Sequence, residues 1–165
     1  MDIVTTSVFS LLGTGIALLG ATLAVGLACF AAAKGSGYAG EAAAGLLAED
    51  PSKFSKALIL VVIPGTNGLY GLVIWFLALA QLGAFAGGLA ELSLVQGLTF
   101  FAACVPMMTG GLSAIAQGRV AAASVGVLAR QEGDWAKGMI LCILIEFFAI
   151  LSLLASFLTI ISIPV

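Results

Sequence analysis

The sequence predicts an all-α membrane protein whose four transmembrane helices form two duplicated helical hairpins. Composition is the first reason. Hydrophobic residues fill 62% of the 165 positions and charged residues only 8%, against about a quarter charged in soluble domains. Mean hydropathy is +1.23. The second reason is layout. Uncharged runs cover Ile3–Ala33, Ala57–Ala90, Leu92–Gly118 and Gly138–Val165, the last interrupted only by Glu146. Each exceeds the ~20 apolar residues a bilayer crossing needs, and a lone span in lipid must be helical to satisfy its own backbone. The third reason is internal repetition. Gly45-Leu46-Leu47-Ala48 resembles Gly126-Val127-Leu128-Ala129, and Lys56-Ala57-Leu58-Ile59-Leu60 resembles Lys137-Gly138-Met139-Ile140-Leu141 at the same offset. Residues 1–85 then form the first hairpin and residues 86–165 the second.

Several function classes are excluded early. A net charge of −2 with no basic patch argues against nucleic acid. There is no Gly-x-x-x-x-Gly-Lys-Ser/Thr loop for ATP and no nucleophile with an attendant base, so the chain reads as non-catalytic. Cys29, Cys104 and Cys142 lie inside apolar runs, are odd in number and lack metal-ligand spacing, and the chain has no histidine. They read as small buried apolar residues. Met1-Asp2-Ile3 has no basic region, and the first apolar run is too long for a cleavable signal peptide.

Taken in order, the first span continues past its apolar run through Ala-rich Gly35–Ala48, with turn chemistry only at Glu49-Asp50-Pro51-Ser52. The third span likewise continues through Val120–Ala129 to a turn at Gln131-Glu132-Gly133-Asp134. Two long hairpins with projecting tips result. All six Lys and Arg fall at or within these two connections: Lys34, Lys53, Lys56, Arg119, Arg130 and Lys137. The positive-inside rule puts both tips in the cytoplasm and both termini outside the cell membrane. Glu91 is expected to cap the external turn, and the remaining charges to form solvated tips. Lys34 lies near the depth of Thr66; it either snorkels toward lipid headgroups or marks a shifted membrane boundary.

The spans differ in bulk. Gly20, Ala24, Ala28, Ala32, Ser36, Gly40 and Ala44 recur every fourth residue, as do Gly110, Ala114, Gly118, Ala122 and Gly126. Such stripes let backbones approach closely. The second and fourth spans carry Tyr70, Trp75, Phe76, Phe147, Phe148 and Phe157. Thin spans beside thick ones suit a closed ring, whose inner circumference is shorter, and suit a compact tetraspan monomer as well.

Glu146 organises the rest. Nine residues beyond Lys137, at ~1.5 Å per residue, it lies ~13 Å into the span, near the middle of a hydrocarbon core ~30 Å thick. A charge there costs at least ~2.5–3.5 kcal/mol, so it must be protonated, paired or cation-bound, and an intramembrane acid is a functional site by default. In the second span, Pro64 lacks an N–H, kinks the helix and frees a carbonyl near Leu60. Ile63, Thr66, Asn67 and Tyr70 share one helical face, at i, i+3, i+4 and i+7. Gln117 and Glu146 are equidistant from the turn at Gln131-Glu132, so antiparallel packing brings them to one depth. Carboxylate, amides, hydroxyl and loosened carbonyl suit a hard cation. Under the repeat offset, Gly65 stands opposite Glu146, so one copy alone carries the acid.

These residues resemble those of a known family, the proteolipid K (c-type) subunit of prokaryotic V-type ATPases, especially the sodium-transporting kind. The resemblance spans nearly the whole chain. It rests on Lys34-Gly35 with Gly40-Glu41-Ala42-Ala43-Ala44, on Pro64-Gly65-Thr66-Asn67-Gly68-Leu69-Tyr70-Gly71, on Ala116-Gln117-Gly118-Arg119-Val120-Ala121-Ala122-Ala123, and on Glu146 within Ile145-Glu146-Phe147-Phe148-Ala149-Ile150. It implies a homo-oligomeric rotor ring in the membrane lipid that carries Na+ past a stator subunit supplying an arginine, while ATP hydrolysis in partner subunits drives rotation. A central-stalk subunit would meet the cytoplasmic tips. It further implies Na+ ligands at Glu146, Gln117, Thr66, Asn67 and the Ile63 carbonyl, with Tyr70 bonded to the carboxylate. Asn67 departs from the family's glutamine by one methylene, which leaves H+ open as the alternative ion. A small four-helix multidrug/proton antiporter also relies on one membrane acid, but in its first helix and in a shorter chain.

Overall fold

The computed structural model describes residues 3–164, with side chains from Leu11 onward; Met1 and Asp2, and Val165 at the end of the last apolar run, lie outside the described residues. The chain is α-helical. Helix α1 runs Ile3–Glu49, α2 Phe54–Val62, α3 Thr66–Gln81, α4 Leu94–Gly110, α5 Ser113–Arg130 and α6 Trp135–Ser162. Short 3₁₀ turns at Pro51–Lys53, Ile63–Gly65 and Glu132–Asp134 join α1 to α2, α2 to α3 and α5 to α6. Among the described residues, four helical stretches are long and apolar enough to cross a membrane: Leu11–Glu49, Pro51–Gln81, Leu94–Arg130 and Glu132–Ser162. The protein is a multi-pass membrane protein. At 47 residues, α1 is ~70 Å long, more than twice the hydrocarbon thickness, so part of each hairpin stands outside the bilayer.

The turns form where their chemistry is. Asp50 caps the first 3₁₀ turn by accepting from the Ser52 N–H at 3.1 Å and from its hydroxyl at 2.5 Å. Pro51 follows at the turn's first position, where a missing N–H costs nothing. At the opposite end the expected Glu91 cap is not the one used. Ser93 caps α4 in a reciprocal box with Gln96, a Ser-x-x-Gln pattern that satisfies two helix-end donors at once. Glu91 is exposed beside it.

The two halves are pinned together at both ends. Near the tips, Lys56 pairs with Glu132 at 2.6 Å and Lys53 donates to the Ala129 carbonyl at 3.1 Å. At the other end, the Thr14 hydroxyl donates to the Ala90 carbonyl and accepts from the Leu92 N–H, while Gln81 donates to the Ile163 carbonyl.

Between these ends α1 packs on α4 and α5 backbone to backbone. A methyl added at Gly97 would lie 2.1 Å from the Gly13 carbonyl oxygen, and one at Gly118 2.2 Å from that of Gly35. These crossings tolerate glycine alone. The small-residue stripe of α1 is buried from Gly20 to Ala32 and then turns away, leaving Ala44 exposed. A strict four-residue step drifts about 40° per repeat around a 3.6-residue helix. Gly35, Ala39, Ala43 and Leu46 take over the buried face. Leu69, Val73 and Phe76 on α3, and Ile140, Leu144 and Phe148 on α6, are exposed apolar residues suited to lipid.

The third span is broken. Pro106 lies inside α4, and the Met107 N–H donates to the buried Ser156 hydroxyl of α6 at 3.0 Å. The backbone then passes through Gly111 and Leu112 before α5 begins at Ser113. The buried apolar residues form two clusters: one around Ala17–Ala28, Ile74, Phe100, Met107 and Ile160, the other around Ala39, Leu60, Ala121, Leu128 and Cys142. Between them, on the second, third and fourth spans, lies a polar layer.

Candidate ion-binding site

The polar layer holds Glu146, Gln117, Thr66, Asn67 and Tyr70. Glu146 is 8% exposed, and Asn67 and Gln117 are fully buried. The register of the α5–α6 hairpin puts Gln117 against Glu146: its Nε2 donates to Glu146 Oε2 and to the Cys142 carbonyl, the latter at 3.2 Å. The Tyr70 hydroxyl donates to Glu146 Oε1 at 2.5 Å. Thr66 Oγ1 stands 2.5 Å from Glu146 Oε1 and 2.7 Å from the Ile63 carbonyl oxygen. Pro64 is buried inside the 3₁₀ turn that presents this carbonyl. The face shared by Ile63, Thr66 and Tyr70, read from helical spacing, is therefore the face α3 turns to Glu146. Asn67 is the exception, because its Nδ2 donates to Ser113 Oγ at 3.4 Å.

Two features define what this layer can hold. First, Asn67 Oδ1 and Gln117 Oε1 are buried with no hydrogen-bond partner among the described residues. A buried amide oxygen without a donor is costly unless something positive meets it. Second, three close oxygen–oxygen contacts share the protons of only two hydroxyls, since the Thr66 hydroxyl can donate either to Glu146 or to Ile63. The cluster therefore accommodates one further positive centre, a proton or a cation. All available ligands are oxygens, and among the described residues no group of three or more His, Cys, Asp or Glu is placed to hold a metal ion. That chemistry fits a hard, singly charged ion and not a transition metal.

The equivalent place in the first hairpin is degenerate. Under the 81-residue offset between Lys56 and Lys137, Gln117 corresponds to Ser36 and Glu146 to Gly65. Those two do meet: a methyl on Gly65 would lie 3.4 Å from Ser36 Oγ. Thr66 and Asn67 correspond in turn to Phe147 and Phe148, both exposed. The pairing of spans is repeated, and its chemistry is present once.

Sequence patterning singled out neither Ser113 nor the Cys142 carbonyl. Ser113 stands one turn before Gln117 on the same face of α5, and that i, i+4 relation is the signal that could have found it. Lys34 lies at the depth of Pro64, since its neighbour Gly35 packs against that ring. Its exposed side chain places the ammonium 5.1 Å from the Phe30 ring centroid.

Among the described residues one buried acid, Glu146, is met by two hydroxyls and an amide nitrogen from neighbouring spans, a layout suited to a membrane ion carrier. Comparison with known proteins is more specific. The ATP synthase C-subunit family matches twice, over residues 19–78 and 101–159, and the chain belongs to that family. Each match covers one pair of spans, which supports the duplication. The chain is 47% identical over 131 residues to the V-type sodium ATPase subunit K of Enterococcus hirae, covering 79% of this chain and 80% of that one. It is 35% identical over 145 residues to the A-type ATP synthase subunit K of Methanocaldococcus jannaschii, covering 88% of this chain and 61% of that one.

Proposed function

We propose that the chain is the rotor-ring subunit of a V-type ATPase and carries Na+ across the membrane on Glu146. The observation that carries this reading is the pair of buried, donorless oxygens, Asn67 Oδ1 and Gln117 Oε1, in the same polar layer as a membrane carboxylate. With Glu146, Thr66 and the Ile63 carbonyl they supply the oxygen shell of a sodium ion, and one acid with one monovalent cation is neutral, as passage through lipid requires. Tyr70 and Gln117 Nε2 hold the carboxylate's two oxygens in place. Pro64 presents the Ile63 carbonyl. The ion is cargo: it enters at one position, travels with the ring and leaves where a stator subunit's arginine meets the bare carboxylate. Partner subunits hydrolyse ATP.

Residues 1–85 and 86–165 are read as the two hairpin copies, with both termini outside the cell and both basic tips in the cytoplasm against a central stalk. The ring reading draws support from the exposed glycines of α1. Gly15, Gly26 and Gly37 have nothing within 4 Å of an added methyl, so this face suits close approach by a neighbouring copy. The family match and the position of the acid favour a rotor over the antiporter. A proton-carrying ring is the second reading, favoured by the three oxygen contacts that share two hydroxyl protons.

Labelling with a hydrophobic carbodiimide, which attacks only a protonated acid, tests the choice. Sodium at fixed pH should slow labelling of Glu146 in the purified ring, and potassium at equal ionic strength should not. Labelling that follows pH and ignores sodium at any concentration would leave the proton ring.

A further inference from the structure

We infer that Ser113 is a positioning residue that orients the Asn67 amide for sodium, an inference that rests on the sodium reading above. A primary amide has a donor end and an acceptor end, and rotation by 180° exchanges them. Beside a carboxylate the favourable orientation is the wrong one for cation binding, because the NH₂ group is drawn to the negative oxygens and takes the ion's place. Gln117 shows that attraction: its Nε2 donates to Glu146 Oε2 as well as to the Cys142 carbonyl. Asn67 is the amide whose nitrogen is engaged elsewhere. Asn67 Nδ2 is held by Ser113 Oγ, and its oxygen remains without a donor.

The fold places Ser113 for this task. The break between α4 and α5 ends at Ser113, and one helical turn later the same face of α5 presents Gln117. The two residues therefore address α3 and α6 at successive levels, Ser113 toward Asn67 and Gln117 toward Glu146. The 3.4 Å separation is long for an N–H···O bond, as befits a side chain at the limit of its reach. Ser113 touches no ion in this arrangement and acts through Asn67 alone.

The test is sodium protection against carbodiimide labelling of Glu146 in the purified ring, titrated with NaCl at fixed pH. Ser113→Ala should raise the half-protecting sodium concentration roughly tenfold, the value of one neutral hydrogen bond. Ser113→Thr, which keeps a hydroxyl, should protect as the native chain does. Should the alanine variant fail to assemble, Ser113→Cys, similar in size and a weak acceptor, replaces it with the same expected shift. In an Asn67→Ala background, removing the Ser113 hydroxyl should change nothing further, since its effect passes through the amide. Native-like protection in the alanine or cysteine variant overturns the inference. So does an equal loss with Asn67 absent, which would make Ser113 a packing residue. If the native ring shows no sodium protection at all, the sodium reading falls and this inference with it; protection in the native ring alone isolates Ser113.

Discussion

Gly118→Ala tests whether the site is built by backbone contact between α1 and α5. The added methyl would sit 2.2 Å from the Gly35 oxygen, 2.3 Å from its Cα and 2.4 Å from its carbonyl carbon, where ordinary contact begins at 3.4 Å. All three atoms are backbone, so no side chain can swing aside, and the helices must part by about 1 Å. Overpacking of this kind costs ~1–3 kcal/mol or more. Gly126→Ala, two turns further along α5, meets nothing within 4 Å and should be neutral or stabilising by ~0.5–1 kcal/mol, as expected for removing a helical glycine. The assay is unfolding of the purified chain in detergent, followed by far-ultraviolet circular dichroism. Because Gln117 immediately precedes Gly118, sodium protection of Glu146 should weaken in the first variant and persist in the second. Equal stability of the two variants would refute the backbone crossing.

Glu146→Gln should assemble yet carry no ion in reconstituted vesicles, because the nearly isosteric amide neither releases a proton nor balances a cation; flux near the native level would remove Glu146 from the transport path. Ser156→Ala takes the hydroxyl from the buried Met107 N–H and should cost ~1–3 kcal/mol in the same unfolding assay, while Ser156→Thr should cost less. At the tip, the Ser52 hydroxyl holds the Asp50 carboxyl below its usual range, with further help from the Ser52 N–H and Lys53. Its contribution to stability is therefore full above the ordinary aspartate value and lost as pH falls through the lowered one. The stability difference between the native chain and Asp50→Ala should be constant at neutral pH and close in acid; a gap that widens in acid would contradict the cap.

The arrangement of the candidate site was legible where local rules set its geometry. The turn at Gln131–Asp134 fixes the register of α5 against α6, so equal spacing from it was enough to pair Gln117 with Glu146. Thr66 and Tyr70 share a face by helical periodicity, which the 3₁₀ turn at Ile63–Gly65 leaves intact. Contacts between spans were harder to read. Ser113 has no polar neighbour in sequence, and its partner Asn67 comes from another span. The small-residue stripes marked the right helices but followed a period of four instead of 3.6, so they ran off the buried face by Ala44. The Ser93–Gln96 box was present in the sequence, yet Glu91 was expected to cap because charge drew more notice than spacing. The break at Pro106 was not read from the sequence, and the Met107 N–H beside it finds its partner, Ser156, 49 positions downstream.

The pairing of Ser36 with Gly65 where the second hairpin has Gln117 with Glu146 sets the gearing of the proposed rotor. A wheel built from this subunit has one loading berth for every four helices, whereas a version with an acid in both hairpins would have two on the same rim. One revolution then moves half as many ions. The work of a revolution is fixed by the motor that turns it, so each ion receives twice the push. Since every elementary charge moved against 100 mV requires about 2.3 kcal/mol, halving the berths doubles the voltage at which the wheel stalls. A first hairpin with glycine in place of the carboxylate thus gives a lower gear, with less cargo per turn delivered against a steeper gradient.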